Sequence, residues 1–91
     1  MIRSFRHKGL RELFETGSSR GVRPDLARRA LRRLDALDAA TSVVDLNIPG
    51  FNLHRLQGRP ERYAVAVNGP WRITFEWRED GAWRVDLEQY H

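Results

Sequence analysis

The hydrophobic pattern of this chain changes its period near residue 51, and that change limits the fold more than any other feature of the sequence. From Phe51 to Glu88 apolar and polar residues alternate, which is typical of half-buried antiparallel strands. Upstream, apolar residues recur every three or four positions, as in helices that pack on one side. The pattern therefore predicts an α+β fold, with two N-terminal helices packed on one face of an antiparallel sheet.

Two helices are predicted before the sheet. The first covers Lys8 to Thr16 and ends at Gly17, and the second begins at Pro24 and reaches Ala39 or Ala40. The predicted solvent-facing positions of the second helix are Arg28, Arg29, Arg32, Arg33 and Asp35. This basic cluster is read as a solvated face rather than a binding site. Ile2 to Phe5 is predicted to be a short strand, and His7 shows no partner.

The strand pattern also predicts the pairing register. Asn68 to Pro70 and Glu79 to Gly81 are interpreted as three-residue hairpin loops, with Gly81 in the left-handed conformation. The loop lengths predict the pairs Val67 with Trp71, Val65 with Ile73, Trp77 with Trp83, Phe75 with Val85, Thr74 with Asp86, and Arg72 with Glu88. In this register all three tryptophans face the core.

The opposite face of the sheet is predicted to carry a groove. His54 falls beside Ala64, and Asn52 falls beside Ala66, so that two small side chains form its floor. Neighbouring strands are about 4.8 Å apart, which places the strands of His54 and Arg72 roughly 10 Å apart across that floor. A groove of this width fits a nucleotide backbone.

Composition excludes several kinds of site. The 91 residues form one domain, residues 1–91, and contain no cysteine, which excludes disulfides and thiol nucleophiles. No segment matches a membrane span or signal peptide, so we expect a cytoplasmic protein with no membrane partner. No metal-binding or phosphate-loop motif is present, and no metal or cofactor is predicted. All but one of the 16 basic residues are arginine, which suits phosphate recognition.

Four residues are candidates for metal-independent cleavage of a phosphodiester, and they are His54, Arg72, Tyr90 and His91. Imidazoles titrate near neutral pH, so His54 and His91 suit the base and acid roles in either order. Arg72 would hold the phosphate, and Tyr90 could orient the 2′-OH or a flanking base. The simpler alternatives are a solvated terminal His91, a cross-strand filler at His54 and a surface ion pair between Arg72 and Glu88.

The sequence closely resembles the HigB toxins of the RelE/ParE superfamily. The resemblance spans the chain in order and rests on four segments: residues 1–10, Leu53-His54-Arg55-Leu56, Trp71-Arg72-Ile73-Thr74-Phe75 and the Tyr90-His91 pair. It implies a RelE-like, microbial-RNase-type fold and cleavage of mRNA in the ribosomal decoding site. It also implies neutralisation by a HigA-like antitoxin with a helix-turn-helix domain, and contact with operator DNA only through the antitoxin complex.

The resemblance carries over functional positions residue by residue. His54, Arg72, Tyr90 and His91 match the catalytic positions of the family. The residues expected to bind RNA are Asn52, Arg55, Arg59, Arg62, Thr74 and Arg84. Two residues depart from the family pattern: Gln89 stands where an acidic residue often precedes the Tyr-His pair, and Gln57 stands where a lysine often follows His-x-Leu. Glu88 is a candidate replacement for the missing acid.

Two other functions remain open from the sequence. One is a non-catalytic binding toxin, such as the ParE-like relatives that act on DNA gyrase, although His54 and the Tyr90-His91 pair argue against it. The other is a degenerate toxin that binds its antitoxin but no longer cleaves RNA, a reading that Gln89 supports.

Overall fold

The protein is described by a computed structural model that covers residues 1–90, and His91 lies outside the described residues. Helix α1 spans Lys8–Thr16, helix α2 spans Pro24–Ala39, and a short 3₁₀ helix spans Val43–Leu46. Four strands follow: β1 at His54–Leu56, β2 at Arg62–Asn68, β3 at Trp71–Arg78 and β4 at Gly81–Gln89. They form one antiparallel sheet in the order β1-β2-β3-β4. The predicted α+β architecture is confirmed.

The hydrophobic core lies between the two helices and one face of the sheet, which we call the inner face. Leu10 of α1 and Leu34 of α2 belong to the same core cluster as Ile73 and Phe75 of β3, and all four are completely buried. Burial of this apolar surface is the main force that holds the helices on the sheet. No helix in residues 1–90 is long and apolar enough to cross a membrane.

Both long helices have the predicted bounds. Two polar residues, His7 and Arg33, form contacts that the sequence analysis did not predict. His7 is the N-cap of α1, where its Nδ1 accepts a hydrogen bond of 3.0 Å from the Leu10 amide. Arg33 was expected in solvent, and that prediction is wrong. Its guanidinium is buried over the Phe51 ring, and its Nε donates to the Ala66 carbonyl at 2.8 Å. Arg33 therefore ties α2 to β2.

Both hairpin loops are shorter than predicted, and a bulge in each hairpin restores the predicted register only beyond the bulge, so the predicted pairs Val67 with Trp71, Trp77 with Trp83 and Phe75 with Val85 are wrong. The turns contain two residues, so that Asn68 pairs with Trp71 and Arg78 pairs with Gly81. The expected pairs Val65 with Ile73, Thr74 with Asp86 and Arg72 with Glu88 are nevertheless present. The bulges lie between Ala66 and Asn68 in β2, and opposite the Thr74–Glu76 segment in β4, where Arg84 has a positive φ of 53°.

The prediction that Trp83 faces the core is wrong, because of the bulge in β4. Trp77 pairs with Ala82, whereas Trp83 pairs with Glu76 and therefore lies on the other side of the sheet. Its ring is covered by the guanidinium of Arg78, at 4.5 Å from the ring centroid. Trp71 and Trp77 do pack against the core, as expected.

The N-terminal segment extends the sheet beyond β4. Ile2 and Phe5 were predicted in a strand, but they form only isolated parallel bridges, to Ala82 and Val85 respectively. The bridging segment passes so close to Gly81 that a Cβ there would lie 2.1 Å from the Met1 carbonyl oxygen. Gly81 also has a φ of 131°, which other residues rarely adopt, so it is not in the left-handed helical conformation that the sequence predicted.

We expect Gly81→Ala to destabilise the protein by at least about 1 kcal/mol, because it combines a disfavoured φ with a backbone clash. Urea unfolding would measure the change in the free energy of unfolding. Gly58→Ala is the matched control, since Gly58 has a φ of 111° but no neighbouring atom within 4 Å of a Cβ. Equal losses in the two variants would show that the packing of residues 1–5 on β4 contributes nothing.

Candidate active site

The candidate site lies on the outer face of the sheet, which we define as the face turned away from the helices. His54 pairs with Ala64 and Ala66 pairs with Arg72, as predicted. Ala64 is fully buried and Ala66 is half-buried, so both small residues lie beneath the surface between β1 and β3, but only Ala66 reaches it. Because β2 separates β1 from β3, the backbones that carry His54 and Arg72 are roughly 10 Å apart.

His54 is oriented by the backbone just before its own strand. Its Nδ1 lies 3.1 Å from the Asn52 carbonyl oxygen, which can only accept a hydrogen bond. The proton of the neutral ring is therefore on Nδ1, and Nε2 is left for chemistry. Asn52 has a φ of 48°, in the left-handed region that asparagine tolerates better than most residues. The strand that was predicted from Phe51 consequently begins only at His54.

Arg72 bends toward the hairpin loop that precedes β3. Its Nη1 donates to the Gly69 carbonyl at 2.7 Å and to the Trp71 carbonyl at 3.0 Å. Its Nε is buried and has no hydrogen-bond partner in residues 1–90. An unpaired buried donor is costly, and an anion could satisfy this atom only after the Arg72 side chain turns to expose it. The residues described contain no Arg72–Glu88 ion pair, although the two residues are opposite each other.

Glu88 instead forms a network with β2 and β3. Its Oε2 accepts hydrogen bonds from the Thr74 hydroxyl and from Arg62 Nη1, the latter at 2.8 Å. Burial of Glu88 alone would raise its pKa, but these hydrogen bonds outweigh burial and lower the pKa below its usual value. Glu88 is therefore a fixed carboxylate at neutral pH. A lowered pKa means that its network stabilises the fold near neutral pH and loses that effect as acid protonates the group.

Tyr90 follows β4, and its amide donates to the Pro70 carbonyl at 2.8 Å. Burial raises the pKa of its phenol, and the negative charge of Glu88 raises it further, against the opposing effects of Arg62 and Arg72. The phenol is therefore protonated at neutral pH and suits hydrogen bonding better than proton abstraction.

The residues that were expected to bind RNA occupy different environments. Asn52 before β1, Arg55 in β1 and Arg59 in the loop that follows are exposed, and Arg55 Nε lies 3.5 Å from Glu61. Arg62 and Arg84 lie on the outer face, held by Glu88 and Glu76. Thr74 has no exposed surface, so in this conformation it acts through Glu88 and does not offer its side chain to RNA.

The sequence interpretation missed a second group of arginines on the outer face. Arg78 was not singled out, although it continues the alternation of Arg72, Thr74 and Glu76 along β3. Arg6 could not have been found by periodicity, because it reaches the sheet only through the bridges of the N-terminal segment to β4. No group of three or more histidine, aspartate or glutamate side chains in the described part of the chain could hold a metal ion.

Comparisons with known proteins agree with the resemblance seen in the sequence. The family profile described as the RelE-like toxin of the type II toxin-antitoxin system HigB matches residues 3–91. The chain is 42% identical over 92 residues to the Endoribonuclease HigB of Proteus vulgaris, and the match covers 100% of both chains. It is 30% identical over 93 residues to Toxin HigB-1 of Vibrio cholerae serotype O1, covering 99% of this chain and 98% of the relative.

Proposed function

Because the chain belongs to the HigB family of RelE-like toxins of type II toxin–antitoxin systems, we propose that it is an endoribonuclease that cleaves mRNA on the ribosome. The observation that carries the proposal is Arg72 Nε, a buried donor without a partner in residues 1–90, at the edge of the groove floored by Ala64 and Ala66. A phosphodiester bound beside Arg72 would supply the missing acceptor once the side chain turned away from the Gly69 and Trp71 carbonyls to expose Nε.

The proposed reaction uses the 2′-hydroxyl of the substrate. Its oxygen attacks the adjacent phosphorus, the bond from phosphorus to the 5′-oxygen breaks, and the products are a 2′,3′-cyclic phosphate and a 5′-hydroxyl. One group takes the 2′ proton, and another gives a proton to the departing oxygen. Arg72 stabilises the extra negative charge that develops on the phosphate oxygens.

His54 and His91 are the proposed acid–base pair. His54 presents Nε2, because its Nδ1 is held by the Asn52 carbonyl, and this arrangement serves either the neutral ring as base or the charged ring as acid. His91 is assigned from the sequence, since it follows Tyr90 and matches the family ending. The order of the two roles is left open. Tyr90, with its raised pKa, is proposed to hydrogen-bond to the 2′-OH or to a flanking base.

In the family an acidic residue often precedes the Tyr-His pair, and here Gln89 occupies that position, with Glu88 directly before it. Gln89 is exposed and pairs with Trp71, and its amide carries no charge. Glu88 is negative and lies beside Tyr90, but it is already bonded to Arg62 and Thr74. We propose that Glu88 positions Arg62 and influences Tyr90 and does not itself transfer a proton.

Two partners follow from the proposed function. One is mRNA in the decoding site of the ribosome, which would place the protein in the cytoplasm. The other is a HigA-like antitoxin with a helix-turn-helix domain, which would connect the toxin to operator DNA only within the complex.

We expect ribosome-bound mRNA to be a much better substrate than free RNA. Two imidazoles and one phosphate-binding arginine form a sparse catalytic set, so the ribosome must supply most of the substrate orientation, an effect worth several orders of magnitude in model reactions. The measurement compares the rates at which purified toxin cleaves one message, naked and on translating ribosomes. Similar rates on both substrates would contradict ribosome dependence.

A message with 2′-deoxynucleotides at the cleaved position is the control for the chemistry. It keeps the phosphate but lacks the attacking hydroxyl, so it should resist cleavage under all conditions. Absence of any cleavage by the unmodified protein would favour a toxin that only binds its partners.

A further inference from the structure

A second groove opens on the outer face, at the end of the sheet away from Arg72. It has a volume of about 470 Å³ and is lined by Arg6, Pro60, Arg62, Glu76, Arg78 and Arg84. Four of these six side chains are cationic and one is anionic. We call this set the arginine groove. Arg72 and Glu76 are four residues apart on β3, so the two grooves are separated by roughly 13 Å along the strand.

A buried carboxylate organises the arginine groove. Glu76 is only 6% exposed, and its two oxygens hold two different guanidinium groups. Arg78 Nη2 lies 2.9 Å from Oε1, and Arg84 Nε lies 3.2 Å from Oε2. Arg78 is fixed further by its contact with the Trp83 ring. These contacts hold the arginine side chains in place before any ligand arrives, which lowers the entropy cost of binding.

Two further arginines complete the groove from opposite sides. Arg62 enters from β2 and is held by Glu88 at 2.8 Å. Arg6 enters from beyond β4, where its amide donates to the Val85 carbonyl at 2.8 Å. Its guanidinium is more than half exposed, and its Nε lies 4.0 Å from Asp86.

The groove has more hydrogen-bond donors than its own acceptors can use. Each guanidinium carries five N–H donors in a planar fork, and the contacts above occupy only one or two on each side chain. Planar forks match the oxygens of phosphate groups. Arg84 lies in the bulge of β4 and has a positive φ, which is a costly conformation for arginine. In this conformation its side chain reaches Glu76.

We propose that the arginine groove binds the phosphodiester backbone of RNA at a second position, outside the nucleotides that are cleaved. This proposal rests on the proposed function, because the groove lies on the same face as the candidate active site and extends it. The bound backbone belongs either to a distal part of the message or to ribosomal RNA, and the two sources share the same chemistry. The groove would fix the direction and position of the toxin on RNA, while His54, Arg72 and His91 perform the cleavage.

The test uses the double variant Arg6→Gln/Arg78→Gln, because neither residue belongs to the candidate active site. Each phosphate contact on single-stranded RNA contributes a slope of about 0.7 in log affinity against log salt, or about fivefold at 0.1 M salt. Loss of two contacts should therefore weaken binding about 25-fold and reduce the slope by about 1.4. Binding is measured by fluorescence anisotropy, which needs no cleavage.

Two ligands distinguish the source of the phosphates. The first is a series of non-cleavable, 2′-deoxy-substituted RNA oligonucleotides of three to twelve nucleotides, and the second is vacant ribosomes without mRNA. A loss that appears only as the oligonucleotide lengthens assigns the groove to the message. A loss on vacant ribosomes assigns the groove to ribosomal RNA.

Arg28→Gln is the matched control, since Arg28 is an exposed arginine on α2, on the opposite side of the sheet. The proposal is overturned if the double variant keeps the affinity and salt slope of the unmodified protein on both ligands, or if Arg28→Gln loses as much per arginine. Thermal unfolding of each variant, and the single variant Arg6→Gln with its exposed side chain, separate loss of binding from loss of stability. If the unmodified protein cleaves mRNA and the double variant binds both ligands as the unmodified protein does, only the groove proposal is refuted. If the unmodified protein binds RNA through the groove but does not cleave mRNA, only the proposed function is refuted.

Discussion

Replacement of Arg72 by alanine is expected to lower mRNA cleavage at least about a hundredfold, the scale of losing one donor to the charged transition state. The expectation rests on the position of its guanidinium, with Nε buried and unpaired in residues 1–90, at the edge of the alanine floor. The measurement is the single-turnover cleavage rate on programmed ribosomes, together with growth inhibition in cells. Folding and antitoxin binding should be retained.

The structural cost of this variant should be small. Arg72 contributes hydrogen bonds from Nη1 to the carbonyls of Gly69 and Trp71, and loss of such bonds at a half-exposed site costs about 1 kcal/mol. Arg72→Lys is the matched variant, because it keeps the charge but loses the fork, and it should recover only part of the rate. A large drop in unfolding temperature with unchanged cleavage per folded molecule would give Arg72 a purely structural role.

Replacement of His91 by alanine is expected to lower cleavage by roughly a hundredfold to ten-thousandfold, the usual range for a positioned acid or base. His54→Ala should cause a comparable loss. If the two imidazoles act in one step, the double variant should lose less than the product of the single effects. Single-turnover rates from about pH 5 to pH 9 would show the loss of one limb of the pH profile in each single variant.

The free energy of unfolding distinguishes a catalytic role of His91 from a structural one. Leu87 is the last residue in the described chain that packs against the core, so His91→Ala should change the free energy of unfolding by less than about 0.5 kcal/mol. His7→Ala is the control with the opposite behaviour. It removes the N-cap of α1 and should cost about 1 kcal/mol, with no effect on cleavage per folded molecule. A His91→Ala protein that cleaves at the unmodified rate would make residue 91 a solvated tail and favour a non-catalytic toxin.

The order and type of the main elements could be read from the sequence. Lys8–Thr16 and Pro24–Ala39 have the predicted bounds, and the paired positions of His54, Arg72 and Glu88 are as expected. These features depend on periodicity, on the freedom of Gly17 to adopt a positive φ and on the fixed φ of Pro24, which are local properties of the sequence. Beyond the bulges the register survived an incorrect choice of loop length, because each bulge adds the residue that the shorter turn lacks.

The predictions were wrong for side chains whose partners come from segments distant in the sequence. Glu88 was expected to meet Arg72 directly across the sheet, yet it bonds to Thr74 and Arg62, because Arg72 turns to the Gly69 and Trp71 carbonyls. Trp83 was placed in the core by strict alternation, but one extra residue at Arg84 turns it to the outer face. Arg33 was assigned to solvent, but it finds carbonyl acceptors on β2 and near Gly50.

The sequence by itself determined the helices, the order of the paired strands and the shared face of His54 and Arg72, because these follow from local spacing and from burial of apolar surface. Only the tertiary structure decided which arginines act together. Arg6 and Arg78 are 72 positions apart, and they line one groove because the N-terminal segment bridges to β4 while Glu76 collects guanidinium groups from two strands. Ion pairs of this kind depend on distances in space between polar groups, and the hydrophobic pattern of a sequence does not encode those distances.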